Sequence, residues 1–252
     1  MLDILASLLL ILLALVVAVS FFCRRNSFDF LSSRIDEIGG SSLLNKRLIE
    51  MGYWFIQPIG KRLAKTSISP NTLSWSGFFL ALLGGCLLAQ GRFGLASVLL
   101  IGSGLLDMLD GFVARLSFRS LNSGVVLDST LDRYTDAFLL FGAAYYYREW
   151  PILLILSLLA LQGSFMVSYS TAKAEAIHVT PPRGNMKRGE RWVWLLGGIL
   201  LSSFSSYWTV RQSDISSEVL KTAPLALSIA LVAICSNISA ALRLRAIFKA
   251  AN

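Results

Sequence analysis

Two stretches of an otherwise apolar chain carry acid. Asp107 and Asp110 lie in LLDMLDGFVARL, and Asp128 and Asp132 lie in SGVVLDSTLDRY. Gly111, Ala114, Arg115 and Gly124 stand between them, so that residues 107–132 read D-x-x-D-G-x-x-A-R-x8-G-x3-D-x3-D. A charged side chain near the centre of a membrane helix costs about 2.5–3.5 kcal/mol, and four unpaired ones would cost on the order of 10 kcal/mol. Something must offset that cost. Asp107 and Asp110 are three residues apart, and Gly124, Asp128, Asp132 and Asp136 recur every four, so each set shares one helix face. Counted from the connection near residues 119–123, Asp128 and Asp132 lie about 6–12 Å deep and Asp107 and Asp110 about 12–16 Å. Two antiparallel helices then bring all four to one cavity. Oxygen donors without His or Cys suit hard cations, Mg2+ or Mn2+, and one arginine cannot neutralise four carboxylates. Gly111 and Ala114 remove bulk beside the acids, and Gly124 permits a close helix approach or clears room for a ligand. Carboxylate-held metal near the cytoplasmic face can bind a diphosphate, stabilise a leaving phosphate and leave one carboxylate as base, which is the logic of phosphoryl transfer. A purely structural Asp/Arg network is the competing reading, and the excess of acid over Arg115 weighs against it.

The chain that positions these residues has 252 of them, 55% hydrophobic and 15% charged. Several apolar runs reach the roughly 20 residues needed to cross a bilayer, so the fold class is all-α integral membrane. The net charge of +8 is accounted for mainly by basic cytoplasmic connections. No nucleic-acid module or long basic tail is present. Cys23, Cys86 and Cys235 are too scattered for zinc or a disulfide framework, and the lone His178 sits in a polar connection, which disfavours histidine chemistry.

Three parts are expected. Residues 1–25 form an N-terminal transmembrane anchor, entering from outside and followed by Arg24 and Arg25. Residues 26–66 form a juxtamembrane segment in which LLNKRLIEMGYWFIQPIGKRL has the spacing of an interfacial amphipathic helix, with a plain linker helix as the alternative. Residues 67–252 form a six-helix core. Its first helix starts at Ser69-Pro70-Asn71-Thr72 and ends near Gln90; Gly91-Arg92 turn the chain into the second, which carries Asp107 and Asp110. The third runs from Gly124 to about Tyr147 and ends in YYYREW, an aromatic belt at the far interface. The fourth runs from Pro151 to about Glu175. A connection with Pro181, Pro182, Arg183, Gly184, Lys187 and Arg188 leads to a fifth at about 190–208 and a sixth at about 222–246. Seven spans result, with the acidic motif facing the cytoplasm.

The motif resembles, position for position, the signature of the CDP-alcohol phosphotransferase family, and the resemblance covers roughly residues 66–250, leaving the anchor as an addition. It implies that CDP-diacylglycerol or a related CDP-linked alcohol is the donor, a hydroxyl compound the acceptor, and CMP the leaving group. It implies that Asp107, Asp110 and Asp128 ligate metal, and that Asp132 deprotonates the acceptor and also touches metal. Gly111, Ala114, Arg115 and Gly124 would line the CDP site, joined by Asn71 of the Pro70-Asn71 pair. A homodimer in the membrane is implied as well.

The acceptor is addressed by SYSTAKAEAIHVTPPRGNMKRGERWVWLL, which is similar to the S-Y-x-[KR]-A-[KR]-A-E and R-x-E-R segments of members that use a polyol phosphate, inositol phosphate in particular. Ser168, Lys173, Arg188 and Arg191 would form an anion pocket. Thr171 departs from that pattern, standing where such members carry a basic residue. Inositol phosphate, glycerol phosphate and a less common polyol therefore all stay open. A cation transporter or metal-binding membrane protein is the alternative class, opposed by the fixed spacing, by Arg115 and by the lack of paired broken helices. An inactive scaffold is opposed by the intact motif.

Overall fold

The computed structural model describes residues 2–23, 46–116, 122–180, 185–211 and 218–251. Pro181, Pro182, Arg183 and Gly184 lie outside them, as do Arg24, Arg25 and the first part of the juxtamembrane segment. The described chain is helical: α1 (Leu2–Cys23), α2 (Lys46–Leu63), α3 (Pro70–Ala89), α4 (Phe93–Leu116), α5 (Asn122–Tyr146), α6 (Pro151–Ala176), α7 (Arg188–Arg211), the short α8 (Glu218–Lys221) and α9 (Ala223–Ala251). Helices α1, α3, α4, α6 and α9 are long and apolar enough to cross a membrane. Seven spans were expected. The other two, α5 and α7, have 25 and 24 residues but concentrate acid or base where they meet the site.

Local signals set the ends of the first core helix. Ser69 adopts an extended backbone, its hydroxyl accepts from the Thr72 amide at 3.2 Å, and Pro70 follows where its missing N–H leaves no gap. At the other end Gly91 has φ +75, in the left-handed region that lets α3 reverse into α4 within three residues.

Backbone contact holds the helices in register. A Cβ at Gly85 would come within 2.5 Å of the Phe138 carbonyl oxygen, so α3 and α5 touch main chain to main chain. Across the molecule a Cβ at Gly163 would lie 2.7 Å from Asn237 Nδ2, which donates to the Leu159 carbonyl at 2.9 Å and ties α9 to α6. The main apolar core runs through Leu88, Leu100, Leu140, Ile199 and Ile229. A smaller one, Ile56, Leu73, Leu109, Phe112 and Val113, lies under α2.

Two expectations are revised. The aromatic belt loses a member: Tyr147 is fully buried, and its hydroxyl donates to Thr222 Oγ1 at 2.8 Å, bolting α5 to the start of α9. Helix α1 is more than an anchor, since it packs on α4, α7 and α2. Asp3 Oδ1 accepts from the Leu95 amide at 3.0 Å, satisfying a donor in the first turn of α4, and the Ser7 and Ser203 hydroxyls meet at 2.5 Å.

Candidate active site

The acids converge. Ligand oxygens of Asp107, Asp110 and Asp128 lie within 4.8 Å of one another. Around a cation with bonds near 2.1 Å, opposed oxygens sit about 4.2 Å apart, so small side-chain rotations suffice to close this set on Mg2+ or Mn2+. The void they share with Asp132 and Thr135 is about 10 Å3, room for one water or ion. The donor set therefore fits a hard divalent cation. Asp110 is only 4% exposed and is steadied by Ser74, whose hydroxyl donates to Oδ2 at 2.6 Å.

Asp132 stands apart from that trio, beside Arg188. The Arg188 Nη1 lies 2.7 Å from Asp107 Oδ2 and 2.8 Å from Asp132 Oδ1, and its Nη2 donates to Thr135 Oγ1 at 3.0 Å. Arg188 was expected in the anion pocket; its first engagement is with the acids. One turn deeper, Asp136 is 7% exposed and accepts from Arg191 Nη2 at 3.0 Å and Trp192 Nε1 at 2.6 Å. A buried carboxylate with these partners is a rigid strut between α5 and α7.

The entry of α7 explains how Arg188 and Arg191 are aimed. Met186 has φ 60, and its strained backbone is held from both sides: its amide donates to Glu190 Oε2 at 2.5 Å and its carbonyl accepts from Arg191 Nη1 at 2.8 Å. The Arg188 guanidinium lies 5.3 Å over the Trp192 ring.

Three cavities meet here. An apolar groove of about 430 Å3 lies between α2, α4 and α7, walled by Gly52, Tyr53, Leu105, Met108, Trp192 and Leu196, and it reaches Asp107 and Arg188. The carboxylate void comes next, bounded by Asp107, Asp132 and Arg188. Beyond it a cavity of about 330 Å3 is lined by Asp132, Ser168, Thr171, Lys187, Arg188, Arg191 and Arg243, among others. Arg188 borders all three.

Of the expected anion-pocket residues, Ser168, Arg188 and Arg191 line the third cavity. Lys173 does not join them: Ser168, Thr171, Ala172 and Glu175 share a face of α6, and Lys173, five residues on from Ser168, is exposed on another. Arg191 is 2% exposed, and its Nε is buried with no hydrogen-bond partner among the described residues. Sequence reading missed Arg243. Its Nη1 donates to Thr171 Oγ1 at 3.3 Å and its Nη2 to the Asn185 carbonyl at 3.3 Å, yet on sequence it looks like any basic residue after a last span. Ser74 was missed too, although it follows Asn71 by three residues and so shares its face. Asp136 was placed on the acidic face without a role.

The expected CDP-site residues gather at one end of α3, α4 and α5. Asn71 stands in the first turn of α3, and its Oδ1 would be 3.6 Å from a Cβ at Gly124, in the first turn of α5. Gly111 faces the Arg115 guanidinium, where a Cβ would sit 3.2 Å from Nη1, and Arg115 itself closes α4. Ala114 is half-buried between them.

Comparison with known proteins agrees with this geometry. The chain is 35% identical over 154 residues to an archaetidylinositol phosphate synthase of Methanothermobacter thermautotrophicus, covering 61% of this chain and 76% of that one. It is 35% identical over 156 residues to a phosphatidylinositol phosphate synthase of Corynebacterium glutamicum, covering 58% and 69%. Among solved structures, the Mycobacterium tuberculosis phosphatidylinositol phosphate synthase in complex with manganese and citrate is similar, with TM-score 0.64, 26% identity, and coverage of 76% of this chain and 88% of that chain. The same enzyme with CDP-DAG bound gives TM-score 0.63 at 26% identity, covering 76% and 92%. The family model for CDP-alcohol phosphatidyltransferase matches residues 67–249, the whole of the helical core that carries the acidic motif. That span sets the cation-transporter alternative aside, and the chain belongs to the CDP-alcohol phosphatidyltransferase family of membrane transferases.

Proposed function

We propose that this enzyme transfers the phosphatidyl group of CDP-diacylglycerol, or of a closely related CDP-linked lipid, to a hydroxyl of a polyol phosphate, releasing CMP. Inositol phosphate and glycerol phosphate are the leading acceptors. The observation that carries this reading is the meeting of three unlike cavities at Arg188, one apolar, one acidic and one basic. A lipid-linked diphosphate and a phosphate-bearing alcohol together call for those three chemistries.

In this reading Asp107, Asp110 and Asp128 hold Mg2+ or Mn2+, with Asp132 at its margin. The bound cation supplies positive charge to the donor's diphosphate and to the departing phosphate. Asn71, Gly111, Ala114, Arg115 and Gly124 receive the cytidine end, and the groove beside Met108 and Leu196 takes hydrocarbon. The acceptor's phosphate rests against Arg191, Arg243 and Lys187 with Ser168 beside it, which brings its hydroxyl to Asp132. Asp132 borders both the acidic void and the basic cavity, the position from which a base can reach the attacking hydroxyl. That oxygen forms a bond to the lipid-bearing phosphorus, the bond from this phosphorus to the bridging oxygen breaks, and the bridging oxygen leaves with CMP. The hydroxyl proton passes to Asp132. Arg188 orients Asp132 while it waits. The relatives named as archaetidylinositol phosphate and phosphatidylinositol phosphate synthases support the acceptor class.

The same reading has the site open to the cytoplasm, supported by the gathering of Lys61, Arg62, Lys187 and Arg243 at its end of the bundle. It also includes a homodimer, which mass measurement in nanodiscs would test. The deciding experiment is CMP release from CDP-diacylglycerol by purified protein with Mg2+ or Mn2+ across inositol phosphate, glycerol phosphate and the free polyols. Release that needs the metal and a phosphate-bearing acceptor supports the proposal. Equal release with unphosphorylated polyols sinks the acceptor assignment, and no release with any acceptor sinks the donor.

A further inference from the structure

The apolar groove opens beside a helix that supplies none of the residues lining it. Helix α1 packs on α4, α7 and α2, the three elements that form the groove. Its inward seam recurs at helical spacing: Asp3, Ser7, Leu10, Ala14, Val17 with Ala18, and Phe21. The outer end is latched by Asp3 to the Leu95 amide and by Ser7 to Ser203, and a Cβ at Gly94 would overlap the Asp3 carbonyl. The inner end is latched by the Phe21 ring, 5.9 Å from Trp54 of α2.

Between these latches the seam opens. Residues 12–16 are all exposed, with Leu12 at 59% and Leu15 at 57%, and Ala14 is exposed although it sits on the inward seam. Asp3 is level with Leu95, and α1 and α4 run in the same direction, since Phe21 reaches the α2 segment that packs on Met108 and Phe112. Residues 12–16 lie about 14–20 Å further along and therefore stand level with Gly104 to Met108. Gly104, Leu105 and Met108 belong to the α4 wall of the groove. The gap in the α1 seam stands level with that wall.

We propose that α1 is the jamb of a lateral portal, a window closed at both ends by its latches, through which one hydrocarbon chain of the lipid donor passes into the groove, and that the bulk of residues 12–16 decides which chains enter. The occupant follows from continuity. The groove is walled mostly by apolar side chains, with Asp107, Lys187, Arg188 and Glu190 also on its lining, so a molecule filling it has a hydrocarbon arm joined to a charged head. A single groove of about 430 Å3 has room for one such arm, leaving a second chain in the bilayer. This inference rests on the lipid donor of the proposed function and adds a selection on its tail.

Two measurements test it. Ala14→Trp narrows the window without touching the site and, being at an exposed position, leaves the fold intact. It should raise the KM for a dioleoyl donor roughly tenfold, equivalent to losing about two buried methylenes, while kcat and the KM for a dibutanoyl donor stay as in the parent enzyme. Equal KM values for parent and variant with the dioleoyl donor would overturn the portal. Independently of turnover, a CDP-diacylglycerol analogue with a mid-chain diazirine should label residues 12–16 together with Leu105 or Met108. Label found only away from α1 overturns the proposal. The outcomes separate from those of the enzyme reading: CMP release without label on α1 sinks the portal alone, and label on α1 without CMP release sinks the proposed reaction and leaves the portal standing.

Discussion

The acidic void and the basic cavity share Arg188 and Asp132, yet they are assembled in opposite ways. The acids come from two consecutive antiparallel helices, α4 and α5, at fixed spacings of three and four residues. The bases come from α5, α7, α9 and the residue before α7, facing a wall of α6; Lys187, Arg188 and Arg191 share a helical spacing, but none relates them to Arg133 or Arg243. An acidic cluster in a membrane needs its ligands held at one depth, which neighbouring helices do by register. A basic cavity needs only cations aimed at one point, which distant segments do as well.

The comparison would break first at Asp132. If this residue is the base that joins the two regions, Asp132→Asn should lower kcat by about 10²–10⁴ with the protein folded and Mn2+ binding by the other three aspartates largely kept. Steady-state CMP release and metal titration of the same preparation read both. Loss of metal binding with loss of turnover would instead make Asp132 chiefly a ligand and leave the base unassigned.

Next in size is the strut. Asp136 is buried with Arg188, Arg191 and Trp192 as its partners, so Arg191→Ala leaves a buried carboxylate without one of its two cations and should cost about 3–5 kcal/mol of stability. Thermal unfolding in detergent reads this. Asp136→Asn with Arg191 intact should be milder than Arg191→Ala if the strut is structural. If both leave stability unchanged, Arg191 serves the acceptor alone.

These two cases also show what the sequence made legible. The carboxylate set was readable because its geometry is local: one helix turn relates Asp107 to Asp110, and one relates Asp128 to Asp132. The start of α3 was readable from Ser69 and Pro70 for the same reason. Arg243 was not, because its use depends on α9 packing against α6, a contact written in Gly163 and Asn237 rather than near the arginine. Lys173 misled for the complementary reason: it belongs to the right segment but to the wrong helix face. The docking of α1 escaped because Asp3 reads as a terminal charge until Leu95 is found beside it.

The basic cavity can be probed apart from the acids. Arg243→Ala should raise the KM for a phosphate-bearing acceptor by roughly 10- to 100-fold, about 1.4–2.8 kcal/mol, and leave the KM for the donor alone. A matching rise in donor KM would show that the two regions are not separable in the way their construction suggests.

The smallest effect sharpens the comparison most. Thr171 faces the basic cavity, within 3.3 Å of Arg243 Nη1, at the position where the resemblance expects a basic residue. A lysine there adds one cation to a cavity that already holds Arg133, Lys187, Arg188, Arg191 and Arg243, and it gives up the hydroxyl that steadies Arg243. Glu175 lines the same cavity one turn along α6, and a lysine at 171 can pair with it at (i, i+4) for about 0.2–0.5 kcal/mol. The two effects oppose each other, so Thr171→Lys should change acceptor KM by only about threefold, some 0.6 kcal/mol. The informative quantity is the ratio between inositol phosphate and glycerol phosphate in direct competition. If that ratio moves while each single KM barely does, residue 171 selects the acceptor by where it draws the phosphate. If the ratio stays fixed, the five cations already present set the selection, and the threonine merely spaces Arg243.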